Sequence, residues 1–183
     1  LNFSNCITGY QPHKYIVEAN LNSSAASYND LPLFRMAEIY LNYAEAKAEL
    51  GEITQGDLDI SVNKIRARAK MPDLNLGAAN DSPDPYLSSA ETGYANVTGA
   101  NKGVILEIRR ERTIELVLES QNRWWDLMRW KEGACIGQKM EGIYIPADKI
   151  GKAYDVNGDG NADICVYSGT QPSVKENVTW FNL

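Results

Sequence analysis

The stretch 155-DVNGDGNAD-163 sets oxygen-bearing side chains at every second position, Asp155, Asn157 and Asp159, followed by Gly160, Asn161 and Asp163. Alternating hard-oxygen donors on a turning loop suit a calcium ion, and Gly160 stands where such a loop has to bend sharply. The expected ligands are the side chains of Asp155, Asn157, Asp159 and Asp163, with the backbone carbonyl of Asn161. A sensor-type helix–loop–helix is excluded. The twelfth position is Val166 instead of a bidentate glutamate, and 164-ICVY-167 reads as a strand instead of an outgoing helix. A structural calcium staple is expected, the alternative being an ion-free Asn/Asp/Gly turn.

A second group of residues with chemical potential is 123-RWWDLMRWKEG-133. Tryptophan rings can stack on the apolar faces of sugars, but clusters of aromatic and arginine side chains more commonly serve packing. Trp124, Trp125 and Trp130 are therefore expected in the interior, with Arg123 and Arg129 stacked on them and paired to Glu111, Glu115 or Asp126. A third group is the row Glu107, Glu111 and Glu115. Glycoside hydrolysis needs two carboxyls facing each other across the substrate, whereas these follow one another along a single helix edge. Arg109, Arg110 and Arg112 beside them are expected to hold their pKa values down, which leaves no poised acid. The single histidine, His13, reads as a loop residue, so no histidine base is predicted.

The elements that carry these groups follow from periodicity. In 31-LPLFRMAEIYLNYAEAKAELG-51, Leu33, Met36, Ala37, Tyr40, Leu41, Ala44 and Ala48 share one helical face. Asn29 or Asp30 is the expected cap, Pro32 suits the first turn and Gly51 the stop. In 57-DLDISVNKIRARA-69, Leu58, Val62, Ile65 and Ala69 share a second face, and the short link between the two predicts an αα-hairpin. Ala44, Ala46 and Ala48 would let the partner helix approach closely. Residues 72–103 are polar and rich in proline and glycine, and read as a long loop of the kind that usually carries function. A third helix, 104-VILEIRRERTIELVLESQ-121, is apolar nearly all round and so is buried on several sides. Within it Glu107–Arg110 and Arg112–Glu115 can pair at i, i+3, whereas Arg109 and Glu111 must reach to other elements. Short strand-like pieces appear at Lys14–Ala19, at Ile143–Ile145 and at 164-ICVY-167.

Composition limits the rest. The 183 residues are 44% hydrophobic, enough for a real core, and a formal charge of -6 argues against nucleic acid as a partner. No apolar run is long enough to span a membrane. Cys6, Cys135 and Cys165 are too scattered for a disulfide scaffold or a zinc site.

With 37-AEIYLNYAEAKAELG-51, 63-NKIRARAKMP-72, 107-EIRRERTIELVLESQNRWWDLMRW-130 and the loop before 164-ICVY-167 in this order, the chain resembles the C-terminal part of the SusD/RagB family of glycan-binding outer-membrane lipoproteins. The resemblance implies a mainly α fold, with a tetratricopeptide-type helical hairpin packed against a loop-rich region and a few short strands. It also implies non-catalytic capture of oligo- or polysaccharide at the bacterial outer-membrane surface, delivery to a TonB-dependent, SusC-like transporter, and a lipid anchor borne by an upstream half. Cys6 lacks the small residue expected before a lipidated cysteine. Ser120-Gln121 stand where most of the family has glycine. As loops carry binding function on rigid scaffolds, Tyr86, Tyr94 and Trp180 are the expected glycan contacts. The alternative is a helical-repeat module whose partner is a protein, though such a scaffold has little use for a long 72–103 loop.

Overall fold

A computed structural model describes residues 14, 15, 17, 18, 21, 28–30, 32–119, 122–137, 144–156, 158–173 and 178–182. His13, Cys6, Asn157, Ile143 and the Ser120-Gln121 pair lie outside them. The chain divides into a helical unit, Lys14–Lys139, and a tail unit that includes Met140–Leu183.

In the helical unit α1 spans Met36–Glu49, α2 Gln55–Asp59, α3 Val62–Arg68, α4 Leu76–Asp81, α5 Pro85–Ser88, α6 Lys102–Glu115 and α7 Asn122–Trp130. Helix α1 starts later than its periodicity suggests. Arg35 is its N-cap, so Pro32 precedes it and neither Asn29 nor Asp30 caps it. Leu33 and Met36 are accordingly exposed, while Ala37, Leu41, Ala44 and Ala48 form the buried face. Gly51 ends the helix as expected. At φ 76 it donates its N–H to the Ala48 carbonyl while Glu52 donates to Lys47, closing the last turn.

The second arm of the hairpin is two short helices instead of one. The Ser61 hydroxyl bonds the Asp57 carbonyl and interrupts the run, and α2 carries its own capping box of Thr54 and Asp57. Leu58, Val62 and Ile65 are buried as expected, but Ala69 and, on α1, Ala46 are exposed.

The segment expected as a long loop is folded. Asn75 caps α4, Asp84 caps α5, and Leu74, Leu87, Tyr94 and Val97 enter the same core as Ala44, Leu58, Val104 and Leu106. Helix α4 lies directly on the first turn of α6. A Cβ at Gly103 would stand 1.8 Å from the Ala79 carbonyl oxygen, so only glycine allows that approach. Helix α6 is buried on most sides, as its unstriped sequence predicts, and packs on α1, α3, α4 and α5.

In the tail unit β1 (Ala153–Tyr154) pairs antiparallel with β2 (Ile164–Tyr167), which pairs in parallel with β3 (Thr179–Asn182), Cys165 standing opposite Trp180. The strand expected at 164–167 is present. Lys14, Tyr15, Val17, Glu18, Tyr144 and Ile145 form none. The protein is mainly helical with one small sheet among its described residues.

Candidate functional site

The charged residues of α6 determine what lies around them. Arg109, Glu111, Arg112 and Glu115 are all buried, and burying a charge is tolerated only where partners satisfy it. Arg109 reaches Glu49 at 3.1 Å and Glu132 at 3.4 Å, and Glu111 pairs with Arg66, so both find mates on other elements as the sequence requires. Glu107 and Arg110 pair at i, i+3, 3.2 Å apart. Arg112 and Glu115 do not pair with each other. Arg112 forks onto Asp126 with Nε and Nη2 at 2.9 and 3.0 Å and donates to Asn42 Oδ1, while Glu115 is held by Arg35 and Arg68. Arg112 has a two-pronged partner in Asp126, and Glu115 has one guanidinium on each oxygen, so neither depends on the other.

Glu45 of α1 is the other centre of this lattice. Its carboxylate accepts from Trp130 Nε1 at 2.5 Å and from both terminal nitrogens of Arg129 at 2.5 and 2.6 Å. The Trp130 ring has the Arg109 guanidinium 4.5 Å and the Arg129 guanidinium 4.8 Å from its centroid, with Tyr94 edge-on at 5.4 Å. Burial opposes the Arg129 charge, but the bonds and charges of Glu45 and Asp126 outweigh it and hold its pKa above the ordinary arginine value.

The tryptophan box is split by helical geometry. Asp126, Leu127 and Trp130 form the buried face of α7, so Trp130 is a packing residue as expected. Trp124 and Trp125 turn away and are 52% and 61% exposed, which corrects the expectation that they are interior. Arg129 pairs with Asp126, but its stronger partner, Glu45, is on α1. Arg123 leaves the tryptophans for Tyr94, donating to its hydroxyl at 2.8 Å.

Beside this lattice lies an open cleft of about 220 Å3 lined by Asn42, Glu45, Ala46, Glu49 and Arg129. Asn42, Glu45 and Glu49 fall at i, i+3 and i+7 of α1, one face of the helix, and Arg129 closes the opposite wall from α7. Trp125 is one turn before Arg129 on the same helix face. The cleft itself carries an amide, carboxylates and a guanidinium, and the helix that supplies the guanidinium also exposes the Trp125 indole, a ring platform. The sequence signal for the cleft was the spacing within 42-NYAEAKAE-49, which its alanine periodicity concealed.

The expected glycan contacts stand as follows. Tyr86, on α5, is 59% exposed, its backbone N–H held by Asp84, which also pairs with Arg110. Tyr94 is 3% exposed and its ring is enclosed by Trp130, Arg109 and Arg123, so it has no face to offer a sugar. Trp180 belongs to the tail unit, half-buried, with its ring edge-on to Tyr167 at 5.9 Å.

Two carboxyls of the helical unit have pKa values pushed in opposite directions. Burial pushes Glu107 up, against the expectation that neighbouring arginines hold the whole row down. Asp84 lies below its ordinary value: burial raises it, but bonds from the Leu87 and Tyr86 N–H groups and from Arg110 outweigh that. Both carboxylates, however, close on the same Arg110 guanidinium.

In the loop before β2 the carboxylates are turned onto the backbone. Asp155 accepts from the N–H groups of Gly158 at 2.6 Å and Gly160 at 2.7 Å, Asp163 from Val156 at 2.9 Å, and Asp159 from Asn161 at 2.8 Å. Among the described residues no three histidine, cysteine or acidic side chains gather around one point. The donors are nonetheless hard oxygens, and a carboxylate that accepts one or two N–H bonds keeps lone pairs for a cation.

The family model described as SusD family matches residues 2–177 of the chain. No curated protein and no solved structure matches it.

Proposed function

The chain belongs to the SusD family, and from that premise we propose that it captures oligo- or polysaccharide without catalysis at the outer-membrane surface, for delivery to a SusC-like, TonB-dependent transporter. The family binds glycans in nutrient uptake, works with SusC-like transporters, and consists of surface lipoproteins that are generally non-catalytic. Attachment through a lipid anchor is part of the proposal on the strength of the family; no helix among the described residues is long and apolar enough to cross a membrane.

The single observation that carries a site is the exposed Trp125 indole on α7, one helical turn before Arg129, the residue that lines a cleft together with Asn42, Glu45 and Glu49. Sugars present an apolar ring face and a rim of hydroxyls, and this surface offers complements to both. Tyr86 and Trp180 are proposed as further contacts on their own elements, and Tyr94 is a core residue. Calcium is the ligand proposed for the 155–163 loop, on the strength of its donor set.

Trp125→Ala tests the site. An exposed indole contributes little to folding, so the variant should melt within about 1 kcal/mol of wild type, as surface substitutions do. It should lose glycan affinity by about tenfold or more in calorimetric titrations over a polysaccharide panel. A variant that binds every glycan as wild type does would remove the site.

A further inference from the structure

A second cleft, of about 280 Å3, opens where the start of α1 meets α3, and its chemistry differs from that of the first. Its apolar floor is Ala37 and Ile65, both buried. Its walls carry Arg35, Lys64, Arg68 and Tyr40, and no carboxylate lines it. Tyr40 packs its ring on the small core cluster of Ala37, Leu41, Ile65 and Leu116. Among the described residues no hydrogen bond engages its hydroxyl, and Lys64 has no ion pair.

Arg35 is a fixed part of this surface. Its Nε and Nη2 donate to Glu119 and its Nη1 to Glu115, and these bonds hold its pKa above the ordinary arginine value. Glu115 also takes Arg68, and Glu119 also takes Lys14, so both carboxylates are already engaged from within. Lys14, Arg35 and Arg68 share Glu115 and Glu119, and Lys64 adds a cation with no ion pair among the described residues, a local excess of positive charge in a chain whose formal charge is -6. Lys64 and Arg68 stand one turn apart on the same face of α3, where like charges repel unless an anion lies between them.

We propose that this cleft binds the carboxylate or sulfate group of an anionic saccharide, with Lys64 and the free N–H groups of Arg68 on the anion, the Tyr40 hydroxyl on a neighbouring sugar oxygen, and the sugar ring on the apolar floor. The inference rests on the glycan-binding reading and narrows it to acidic glycans. A lysine supplies a point charge and an arginine a planar fork, so the pair accepts either anion.

The test is titration of the full chain with trigalacturonate and its methyl ester, with a sulfated galacto-oligosaccharide and its desulfated form, and with inorganic sulfate, at low and at moderate salt. At least one acidic sugar should bind about tenfold or more tightly than its neutral form, and added salt should remove the difference. Lys64→Glu should abolish the preference without lowering the melting temperature, because Lys64 makes no ion pair to lose. Which acidic member binds tells a uronate from a sulfate ester. Equal affinity for charged and neutral forms, or an unchanged preference in Lys64→Glu, overturns the proposal while leaving glycan capture standing. Inorganic sulfate binding that Lys64→Glu removes, with no sugar bound at all, would uphold an anion site and reject the saccharide. No binding of any probe overturns the anionic-saccharide site, and the polysaccharide panel then decides glycan capture by itself.

Discussion

Arg112 shows how much a single side chain settles in this protein. Its guanidinium satisfies Asp126 and Asn42 and lies 3.6 Å from Glu45, and it is almost wholly removed from solvent. Removing it leaves Arg129 alone to balance two buried carboxylates, Asp126 and Glu45, and breaking a buried network from one side costs about 3–5 kcal/mol. Arg112→Ala should therefore lower the melting temperature by roughly 6–20 °C in calorimetry, at about 2–4 °C per kcal/mol for a chain of this size. A fall of under about 2 °C would mean that the lattice is not what holds α7 in place. Trp124 and Trp125 differ from Trp130 for a reason equally local. Nine residues of helix can bury one face only, and Asp126, Leu127 and Trp130 take it.

At the scale of elements, periodicity made most of the helices legible. The apolar face of α1, the all-round burial of α6 and the strand at 164–167 were all readable, as were the outward reach of Arg109 and Glu111. Three things were not. The start of α1 depended on where Arg35 finds Glu115 and Glu119, 80 and 84 residues away. The break at Ser61 depended on one hydroxyl. The folding of 72–103 depended on sparse apolar residues, Leu74, Leu87, Tyr94 and Val97, too far apart to show any period. The polar cleft was concealed for a related reason, since its walls come from α1 and α7 and only α1's half has a spacing to read.

Helix ends also yield a prediction. Lys131 closes α7 at φ 58, a conformation that costs a side-chain-bearing residue about 1 kcal/mol or more, while its N–H bonds the Met128 carbonyl and Glu132 donates to Leu127. Lys131→Gly should raise stability by about 0.5–1 kcal/mol, measured by urea unfolding, because the bonds remain and the strain goes. A loss of stability would show that the lysine side chain matters more than its backbone.

The β1–β2 loop gives a second. A calcium ion that draws Asp155, Asp159 and Asp163 together should raise the melting temperature of the chain on titration, and Asp159→Asn should reduce the rise. If calcium leaves melting unchanged at millimolar concentration, the loop is a turn held by its own N–H bonds.

For the whole molecule, acid is the informative variable. Burial works against the Glu119 charge, yet Arg35 and Lys14 outweigh it and hold the carboxyl below its ordinary 4.5. With the folded pKa below the unfolded one, the stability this group contributes is complete above about 4.5 and is lost as the pH falls through the folded value. Glu107 runs the other way. Its raised pKa means that carrying its charge costs stability at neutral pH, a cost that disappears on protonation. Glu119→Gln should therefore flatten the acid limb of a stability–pH curve, and Glu107→Gln should raise stability near neutrality. Parallel curves for the two variants would contradict both assignments.

The lattice has one more consequence, for the order in which the chain is made. Arg109 and Arg112 are synthesised before Asp126, Arg129, Trp130 and Glu132, the residues that complete their surroundings. Until these emerge, Arg112 lacks the carboxylate it forks onto, Arg109 has Glu49 alone, and Glu45 lacks Arg129 and Trp130. A nascent chain halted before residue 126 should remain open to protease along α6, and one released past 132 should close in a single step. That outcome would make the appearance of α7, and not the formation of the helices that precede it, the step that decides when α6 closes.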